Sequence, residues 1–248
     1  MDKLVCPWGI FRGTMIIDLL KNAKKVVALT GAGISAESGV PTFRGEGGLW
    51  RNYNPQELAT PEAFARDPGL VWEWYNWRRE IIYPLEPNKG HKFIADIEKN
   101  ISDFTLITQN VDGLHQKAGS KNCVELHGNI WRVRCLKEEK VFELLDVPLK
   151  DIPPVCECGS ILRPDIVWFG ESLDPEVMSI AYNVVKNCDF MMVVGTSAVV
   201  QPAASFPLIA RQNGAYVVEI NAEKTPISGM VDESLIGKAG EILGKLKP

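Results

Sequence analysis

The chain has 248 residues, of which 46% are hydrophobic and 23% are charged. These values are ordinary for a globular protein and argue against disordered, collagen-like and low-complexity chains. The formal net charge of -4 at pH 7 argues against binding of nucleic acid through overall charge, although it permits a basic protein partner. No apolar run in the sequence reaches the ~18 residues of a membrane span.

The N-terminal segment, residues 1–17, does not have the pattern of a signal peptide. Pro7, Gly9, Arg12 and Gly13 interrupt any apolar run, and no small-residue cleavage site follows. The six cysteines are too few for a disulfide scaffold. We therefore expect a cytosolic protein with residues 1–14 as a short extension. We also expect a monomer, because the sequence has no coiled-coil pattern.

Short apolar strands alternate with helical patterns along most of the chain. The predicted helices cover residues 15–23, 113–118, 176–185, 202–211 and 233–246, and the predicted strands cover residues 25–29, 104–108, 190–194 and 216–220. Strands of nearly all-apolar residues are typical of a parallel sheet that is buried on both faces. The alternation predicts an α/β protein with a Rossmann-like, doubly wound sheet and helices on both faces.

Two stretches interrupt this alternation, and we interpret them as insertions that form a small lobe. Residues 42–83 are rich in Trp, Pro and Glu, and residues 119–162 carry most of the cysteines and short β patterns. The large lobe then comprises residues 15–41, 84–118 and 163–248. A cleft between two lobes is the expected place for a ligand.

A glycine-rich turn follows the first predicted strand. Gly31-Ala32-Gly33-Ile34-Ser35-Ala36 fits the pattern G-x-G-x-x-A between a strand and a helix. Gly31 permits a tight turn, and Gly33 lets the backbone approach a pyrophosphate, whose charge meets free N–H groups. A simple glycine turn is the alternative, but the preceding strand favours dinucleotide binding.

The residues after this turn differ from those of a dehydrogenase. Such enzymes place an acidic residue at the end of the next strand, about 20 residues on, to hold the ribose hydroxyls. Residues 37–45 instead form a loop with an arginine and an aromatic residue, so we expect the nicotinamide end to be enclosed. Enclosure suits cleavage of a glycosidic bond, because it shields a reactive oxocarbenium from water.

Polar side chains follow other predicted strands. Gln109, Asn110 and Asp112 come after residues 104–108, at the edge where open α/β sheets bind ligands. They can hydrogen-bond ribose hydroxyls and a carboxamide, although Asn, Asp and Gly are also common in turns. Short polar clusters at residues 195–197 and 219–221 can line the same cleft, and each taken alone is also compatible with a turn.

His127 is the candidate general base among three histidines. It follows an alternating strand pattern at residues 124–126 and precedes a glycine. A base that acts near pH 7 is most simply a histidine. For His91 and His115, which lie near a helix start and on a short helix, we expect surface or capping roles.

In combination these motifs resemble those of the sirtuins, the NAD-dependent protein lysine deacylases. The resemblance spans roughly residues 19–245 and rests on GAGISAESGVPTFR at 31–44, TQNVDGLH at 108–115, ELHG at 125–128, LRPDIVWFGE at 162–171, VVGTSAVVQPAA at 193–204 and EIN at 219–221. It implies a single catalytic domain over residues 1–248, with a large Rossmann-like lobe and a small lobe that contains a zinc module. It also implies that acyl-lysine proteins are the substrates, and that nicotinamide, free lysine and O-acyl-ADP-ribose are the products.

The resemblance further implies roles for individual residues. His127 would activate a ribose hydroxyl, and Asn110 and Asp112 would orient the ribose and the nicotinamide amide. Residues 167–170 would pair with the substrate backbone as an added β-strand, which reads little sequence. The implied cofactor residues are Gly31, Ala32, Gly33, Ser35, Glu37, Phe43, Arg44, Gln109, Asn110, Asp112, Gly195, Thr196, Ser197, Asn221 and Ala239, and the implied peptide-binding residues are Val167, Trp168, Phe169 and Gly170.

One segment of the small lobe indicates which acyl groups are accepted. Tyr75 and Arg78 lie at i and i+3 of a predicted helix and so share a face. A guanidinium can hold a carboxylate bidentately while a phenol adds a hydrogen bond. The segment resembles the Tyr-x-x-Arg pattern of the desuccinylase branch of sirtuins, and Ala59 matches the small residue of that branch's acyl pocket. We expect succinyl and malonyl groups to be accepted beside acetyl; in the alternative, Arg78 pairs with a surface acid.

The expected zinc module departs from the family pattern of two C-x-x-C pairs. Cys135 stands where the first pair opens, Glu138 holds its partner position, and the second pair is shortened to Cys156-Glu157-Cys158. Three thiolates with a carboxylate or water can hold zinc. However, C-x-C is a poor spacing for two ligands of one tetrahedral site, so we expect less than one zinc per chain.

Two other functions remain open from the sequence. The absence of an acidic residue after a second strand disfavours an ordinary dehydrogenase. The second alternative is a module that senses NAD, or hydrolyses it, without deacylating a peptide. The presence of His127 beside an intact TQNVD motif disfavours that reading.

Overall fold

The computed structural model describes the backbone of residues 7–43, 49 and 54–246, with side chains from residue 15 onward within these ranges. In chain order the elements are α1 Pro7–Asn22, β1 Lys25–Thr30, α2 Ala32–Ala36, α3 Pro55–Leu58, α4 Pro61–Arg66, α5 Pro68–Ile82, α6 Lys89–Asn100, β2 Asp103–Thr108, α7 Leu114–Ala118, β3 Cys123–Glu125, β4 Gly128–Cys135, β5 Val141–Glu143, β6 Leu162–Ile166, α8 Pro175–Asn187, β7 Phe190–Val194, α9 Phe206–Gln212, β8 Tyr216–Asn221, β9 Glu233–Ile236 and α10 Ala239–Leu243.

Six parallel strands form the central sheet, in the order β3-β2-β1-β7-β8-β9. β1 lies between β2 and β7, so the chain builds one half of the sheet outward from β1 and later returns to build the other half. The strand order therefore reverses between β1 and β7. Open α/β sheets bind ligands at the carboxyl ends of their strands at such a point.

Helices cover both faces of this sheet. Alternate residues of a strand point to opposite faces. On one face Val26 and Ala28 of β1 pack in a core with α1, α6 and α10, and on the other Val27 and Leu29 pack in a core with α8 and α9. Burial on both faces explains why these strands are nearly continuous apolar runs. The predicted Rossmann-like fold is confirmed.

A third core, that of the small lobe, joins a three-stranded antiparallel sheet, of order β5-β4-β6, to helices α3, α4 and α5. Arg79 of α5 is buried in this core, and burial lowers its pKa to about 10. Its guanidinium donates to the backbone carbonyls of Ile130 at 3.0 Å and Asp146 at 3.1 Å, and also to that of Leu144. These bonds fix the position of α5 relative to the small sheet.

Two predicted boundaries differ from the structure. Residues 123–125, which the sequence placed in the small lobe, form β3 and pair in parallel with β2 at the edge of the central sheet. Residues 233–246, which the sequence placed in one helix, divide into β9 and α10. The reason is that residues 233–236 pair with β8, and Gly237 at φ +159° turns the chain before α10.

The helices otherwise agree with the predicted ones in position and differ at their ends. α1 begins at Pro7, within the segment expected to be an extension, and a 3-10 turn at Ala203–Ser205 precedes α9. None of the helices in the described part of the chain combines the length and the apolar character needed to cross a membrane.

Candidate active site

A cleft of about 830 Å³ opens at the carboxyl ends of the central strands, with walls from the loops after β1, β2, β7 and β8 and from the small lobe. The predicted site residues that line it are Gly31, Ala32, Gly33, Glu37, Phe43, Ala59, Tyr75, Arg78, Gln109, Asn110, His127, Val167, Trp168, Phe169, Gly170, Gly195, Thr196, Ser197, Asn221 and Ala239. Ser35 and Asp112 are buried behind this wall. Arg44 lies outside the described residues.

The glycine turn after β1 packs directly against the backbone of the turn after β7. The Gly33 N–H donates to the Gly195 carbonyl at 2.7 Å, and the Gly31 N–H donates to the Val194 carbonyl at 3.0 Å. A Cβ added to Gly31 or Gly33 would lie 2.9 or 2.7 Å from the Gly195 oxygen, which is too close for a carbon. Glycine is therefore required where the two loops cross. The bare backbone that results suits the approach of a pyrophosphate.

A buried hydrogen-bond network supports Asn110. Its Nδ2 donates to the Gly31 carbonyl at 3.1 Å and to the Ser35 hydroxyl at 3.2 Å. The Ser35 hydroxyl in turn donates to the Asp112 carboxylate at 2.7 Å, which also accepts the Leu114 N–H at 2.9 Å. Burial raises the pKa of Asp112. Ser35 and Asp112 thus hold Asn110 against the glycine turn from behind the wall of the cleft.

His91 and His115 adjoin the same network, so the expectation of surface or capping roles was wrong. Both are buried, with ring centroids 4.8 Å apart. His91 Nε2 lies 3.2 Å from the Ser35 hydroxyl, and His115 Nε2 lies 3.0 Å from the Thr30 hydroxyl. Burial lowers the pKa of His91 to about 4 and also lowers the pKa of His115. Both imidazoles are therefore neutral at pH 7.

His127 lines the cleft between β3 and β4, and its ring is oriented by the backbone. Its Nδ1 lies 3.0 Å from the Gln109 carbonyl. A carbonyl only accepts, so Nδ1 carries the proton and Nε2 keeps its lone pair. Burial lowers the pKa of His127, which keeps the ring neutral at pH 7. The structure thus provides the neutral, oriented imidazole that a general base requires.

Other strand-end side chains tie the loops around the cleft together. Gln109 Nε2 donates to the Thr196 hydroxyl at 2.9 Å, and Asn221 Nδ2 donates to the Thr196 carbonyl at 3.3 Å. The Glu37 carboxylate accepts the Gly240 N–H at 2.5 Å. These bonds link the loops after β2, β7 and β8, and join the end of α2 to α10.

Tyr75 and Arg78 are buried at the small-lobe end of the cleft. The Arg78 guanidinium lies 4.9 Å from the ring centroid of Phe43, 5.0 Å from that of Trp74 and 5.8 Å from that of Tyr75. Arg78 is 5% exposed and forms no ion pair with a carboxylate of the described residues. This burial excludes the alternative of a surface ion pair. The Arg78 guanidinium is therefore a buried cation beside the cleft, and aromatic rings surround it.

The segment after β6, residues 167–170, uses its backbone N–H groups within the protein. Val167 N–H donates to the His127 carbonyl and Phe169 N–H donates to the Ala59 carbonyl, each at 3.0 Å. Trp168 N–H donates to the Glu171 carboxylate at 2.8 Å. A peptide strand added here would therefore donate its own N–H groups to carbonyl oxygens of this segment.

A family model described as the Sir2 family matches residues 31–202, which include the glycine turn, Asn110 and His127. The chain belongs to the Sir2 family. NAD-dependent protein deacylase 2 of Pyrobaculum aerophilum is 56% identical over 93% of this chain and 93% of its own length. NAD-dependent protein deacylase 1 of Archaeoglobus fulgidus is 50% identical over 93% of this chain and 95% of its own length.

Solved Sir2 structures have the same fold as this chain. A Sir2 homologue in complex with NAD matches with a TM-score of 0.87 at 50% identity, over 94% of this chain and 91% of that one. A Sir2 complex with a p53 peptide and NAD matches with a TM-score of 0.83 at 33% identity, over 93% and 95%. The resemblance to the sirtuins is confirmed for family and fold.

The cysteine module of this Sir2 chain brings four donor groups together. The ligand atoms of Cys135, Glu138, Cys156 and Cys158 all lie within 4.8 Å of one another, and the Cys135 and Cys158 sulfurs are 3.5 Å apart. A backbone N–H bond from Glu138 lowers the pKa of the Cys135 thiol. The C-x-C spacing does not keep the two thiols apart, because Cys156 and Cys158 belong to one cluster of ligand atoms. Three sulfurs and a carboxylate fit the tetrahedral preference of zinc.

Sequence reasoning missed part of the cleft wall. Trp74 lines the small-lobe end, and residues 222–226, directly after Asn221, line the end formed by β8. Buried Glu219 accepts hydrogen bonds from the hydroxyls of Thr225, Ser228 and Ser234, which hold this loop over the sheet. The position of residues 222–226 at the carboxyl end of a strand was the signal that could have found them.

Proposed function

We propose that this chain removes acyl groups from lysine side chains of proteins with NAD as the second substrate, and that succinyl and malonyl groups are among those it removes. The observation that carries the proposal is one cleft lined by His127, by a glycine turn and by the buried Arg78 guanidinium, which has no ion-pair partner among the residues that the structure describes. Curated relatives that cover nearly the whole chain are named NAD-dependent protein deacylases, which supports the NAD-dependent part.

The cofactor end of the cleft fits NAD. Bound NAD supplies the ribose carbon to which the acyl oxygen is transferred as nicotinamide departs. Gly31 and Gly33 expose backbone to the pyrophosphate. Asn110, fixed by Gly31 and Ser35, orients the ribose and amide groups. Thr196 and Asn221, joined to each other, hold the other nucleoside, together with the loop after β8.

His127 acts as the general base. Its Nδ1 proton is held by the Gln109 carbonyl, so Nε2 is the atom that takes a proton from a ribose hydroxyl. The lowered pKa of His127 keeps this nitrogen unprotonated at neutral pH. The N–H bond to the carbonyl also stabilises the imidazolium after it has accepted the proton.

The acyl end of the cleft fits a carboxylate. Arg78 and Tyr75 offer a guanidinium and a phenol proton, and charge-assisted bonds of this kind are the strong ones. The small side chain of Ala59, which is buried at this end, leaves space for a succinyl chain. Burial of the carboxylate of the acyl group without a positively charged partner would cost several kcal/mol. Arg78 therefore determines whether acidic acyl groups are accepted.

The cysteine module would hold zinc through Cys135, Cys156, Cys158 and Glu138. Closed tetrahedral sites of this type are structural, and none of these residues lines the cleft. The ion would join the β4–β5 turn to the turn at residues 156–160, and it takes no part in the reaction.

Mass spectrometry of one peptide with acetyl-, succinyl- or malonyl-lysine at the same position, each with NAD, tests the proposal. We expect free lysine, nicotinamide and O-acyl-ADP-ribose in equal amounts from all three peptides. Equal nicotinamide release with and without a peptide would instead indicate an NAD hydrolase. A rise in absorbance near ~340 nm would indicate hydride transfer and thus a dehydrogenase. Removal of acetyl alone would refute the acidic-acyl part.

A further inference from the structure

One hydrogen-bond partner of the Tyr75 hydroxyl is a group that can only donate. Trp168 Nε1 lies 2.9 Å from the Tyr75 oxygen, and both side chains are buried. An indole N–H has no acceptor capacity, so the Tyr75 oxygen accepts in this bond. The phenol proton must therefore point elsewhere, and no described residue accepts it.

The direction of the Trp168 N–H is itself fixed. The Arg163 guanidinium lies 3.7 Å from the indole centroid, and two hydrogen bonds of 2.6 and 2.9 Å hold it to the Glu171 carboxylate. The same carboxylate accepts the backbone N–H of Trp168 at 2.8 Å. The ring of Phe64 packs with its centroid 5.2 Å from that of the indole. Together these contacts leave the indole one orientation, with its N–H on Tyr75.

We propose that Trp168 is a positioning residue that sets the preference for acidic acyl groups, because its N–H occupies the acceptor side of Tyr75 and directs the phenol proton into the cleft beside Arg78. The inference rests on the proposed action on succinyl-lysine. With Trp168 in place, Arg78 and Tyr75 both present donors to this end of the cleft, a guanidinium and an O–H. A carboxylate accepts from both, whereas an acetyl group offers no oxygen beyond its amide carbonyl.

Trp168→Phe tests this role, since phenylalanine keeps a ring between Arg163 and Phe64 but lacks the N–H. Values of kcat/KM are measured with succinyl- and acetyl-lysine peptides for the wild type, Trp168→Phe, Tyr75→Phe and the double variant. We expect Trp168→Phe to lower desuccinylation about ten-fold more than it lowers deacetylation. In the Tyr75→Phe background the same change should have no further effect on desuccinylation, because the proton that Trp168 directs is then absent.

Trp72→Phe is the matched control. Trp72 is also buried, lies on the same helix as Tyr75, and donates its indole N–H to the Leu162 carbonyl at 2.7 Å, but it does not line the cleft. Trp72→Phe should lower the melting temperature without changing the ratio of desuccinylation to deacetylation. Calorimetric binding of the succinyl peptide without turnover should weaken in Trp168→Phe and not in Trp72→Phe.

The outcomes separate this inference from the function on which it rests. Equal losses on both peptides, or the same loss of desuccinylation in the Tyr75→Phe background, would show that Trp168 is merely structural and would overturn the inference. If Arg78→Met selectively loses desuccinylation while Trp168→Phe keeps it, the acidic-acyl function stands and the role of Trp168 is wrong. If the wild type removes acetyl but not succinyl groups, the acidic-acyl part of the proposed function fails and this inference fails with it.

Discussion

The two ends of the cleft are built in different ways. The cofactor end consists of loops that follow parallel strands, and its closest contacts involve backbone, as where Gly33 meets Gly195 at 2.7 Å. The acyl end is formed by side chains, and helix α5 of an insertion contributes Tyr75 and Arg78, which are buried beside Trp74. One end is made by the topology of the sheet, and the other by the identity of a few side chains.

This difference separates the reaction from its selectivity. The strand order places the loops after β1, β2 and β7 at one edge whatever their side chains are, so a change there should affect every acyl substrate. Arg79 and the core of the small lobe hold α5 in place, and Arg78 is not part of that core. A change at the acyl end should therefore alter which acyl group is removed and leave the common chemistry intact.

The largest effect is expected from loss of the base that serves both ends. His127→Ala should lower deacylation of acetyl and succinyl peptides alike by about 10²–10⁴-fold, the usual contribution of a general base. NAD affinity, measured by calorimetry, should stay largely unchanged, because His127 is bonded to a backbone carbonyl and not to the glycine turn. A near-normal rate, or a loss confined to one acyl group, would contradict the assignment.

A large but selective effect is expected at the acyl end. Arg78→Met should lower kcat/KM for desuccinylation by about 10²-fold, because the acid's charge would be buried without its partner. Deacetylation should be kept or increased, since methionine restores apolar packing among the rings of Phe43 and Trp74. Arg66→Met, at an exposed position of the small lobe, serves as the control for an arginine removed elsewhere. Equal loss of desuccinylation and deacetylation would show that Arg78 does not determine which acyl group is removed.

Much of the cofactor end could be predicted from the sequence, because local sequence patterns specify it. The apolar run at residues 25–29 predicts a buried strand, and the glycines that follow it lie where the fold requires bare backbone. Asn110 was found for the same reason, as a polar residue at a strand end. The burial of Asp112 and Ser35 behind the wall could not be predicted, because it depends on how closely the loops after β1 and β2 approach.

The misses share a physical cause, which is contact between residues far apart in the chain. His91 and His115 each look like helix-end residues, and only the packing of α6 against α7 buries the pair. Trp168 and Tyr75 lie 93 positions apart, so their bond leaves no local signal. Residues 233–236 have no strong strand pattern of their own and become a strand because β8 offers a free edge. The acyl end was predicted from the i, i+3 spacing of Tyr75 and Arg78 together with a family resemblance.

A smaller, unselective effect is expected from the network behind the glycine turn. Asn110→Ala removes the bonds to Gly31 and Ser35 and should slow nicotinamide exchange about ten-fold with either acyl peptide. Peptide affinity should not change, because the described side-chain hydrogen bonds of Asn110 go to Gly31 and Ser35 and not to residues 167–170. Asn100→Ala, at the exposed end of α6, is the control. A loss of peptide binding that equals the loss of exchange would contradict the placement of Asn110 at the cofactor end.

The pH dependence distinguishes the ends without any substitution. The base must be neutral to act, and burial lowers the pKa of His127, so the fall in kcat/KM on the acid side should lie below the ordinary histidine value of about 6.5. The ratio of desuccinylation to deacetylation should stay constant from about pH 6 to 9, since Arg78 stays charged and a free carboxylate stays ionised there. A fall in kcat/KM on the acid side that lies above about pH 6.5 would contradict the role of His127. A ratio of desuccinylation to deacetylation that changes near neutral pH would contradict the role of Arg78.

The smallest effect on the reaction is expected from the cysteine module, which faces neither end of the cleft. We expect one zinc per chain by elemental analysis, lost in Cys135→Ser and retained in Cys188→Ser, since Cys188 is a buried cysteine near the central sheet. Loss of the metal should lower the melting temperature by at least ~5 °C while the ratio of acyl activities stays constant. Less than half an equivalent of zinc per wild-type chain would indicate that the C-x-C spacing disfavours zinc binding. A changed acyl ratio after zinc removal would mean that the module helps to position α5, because β4 joins Cys135 to the Ile130 carbonyl that Arg79 binds.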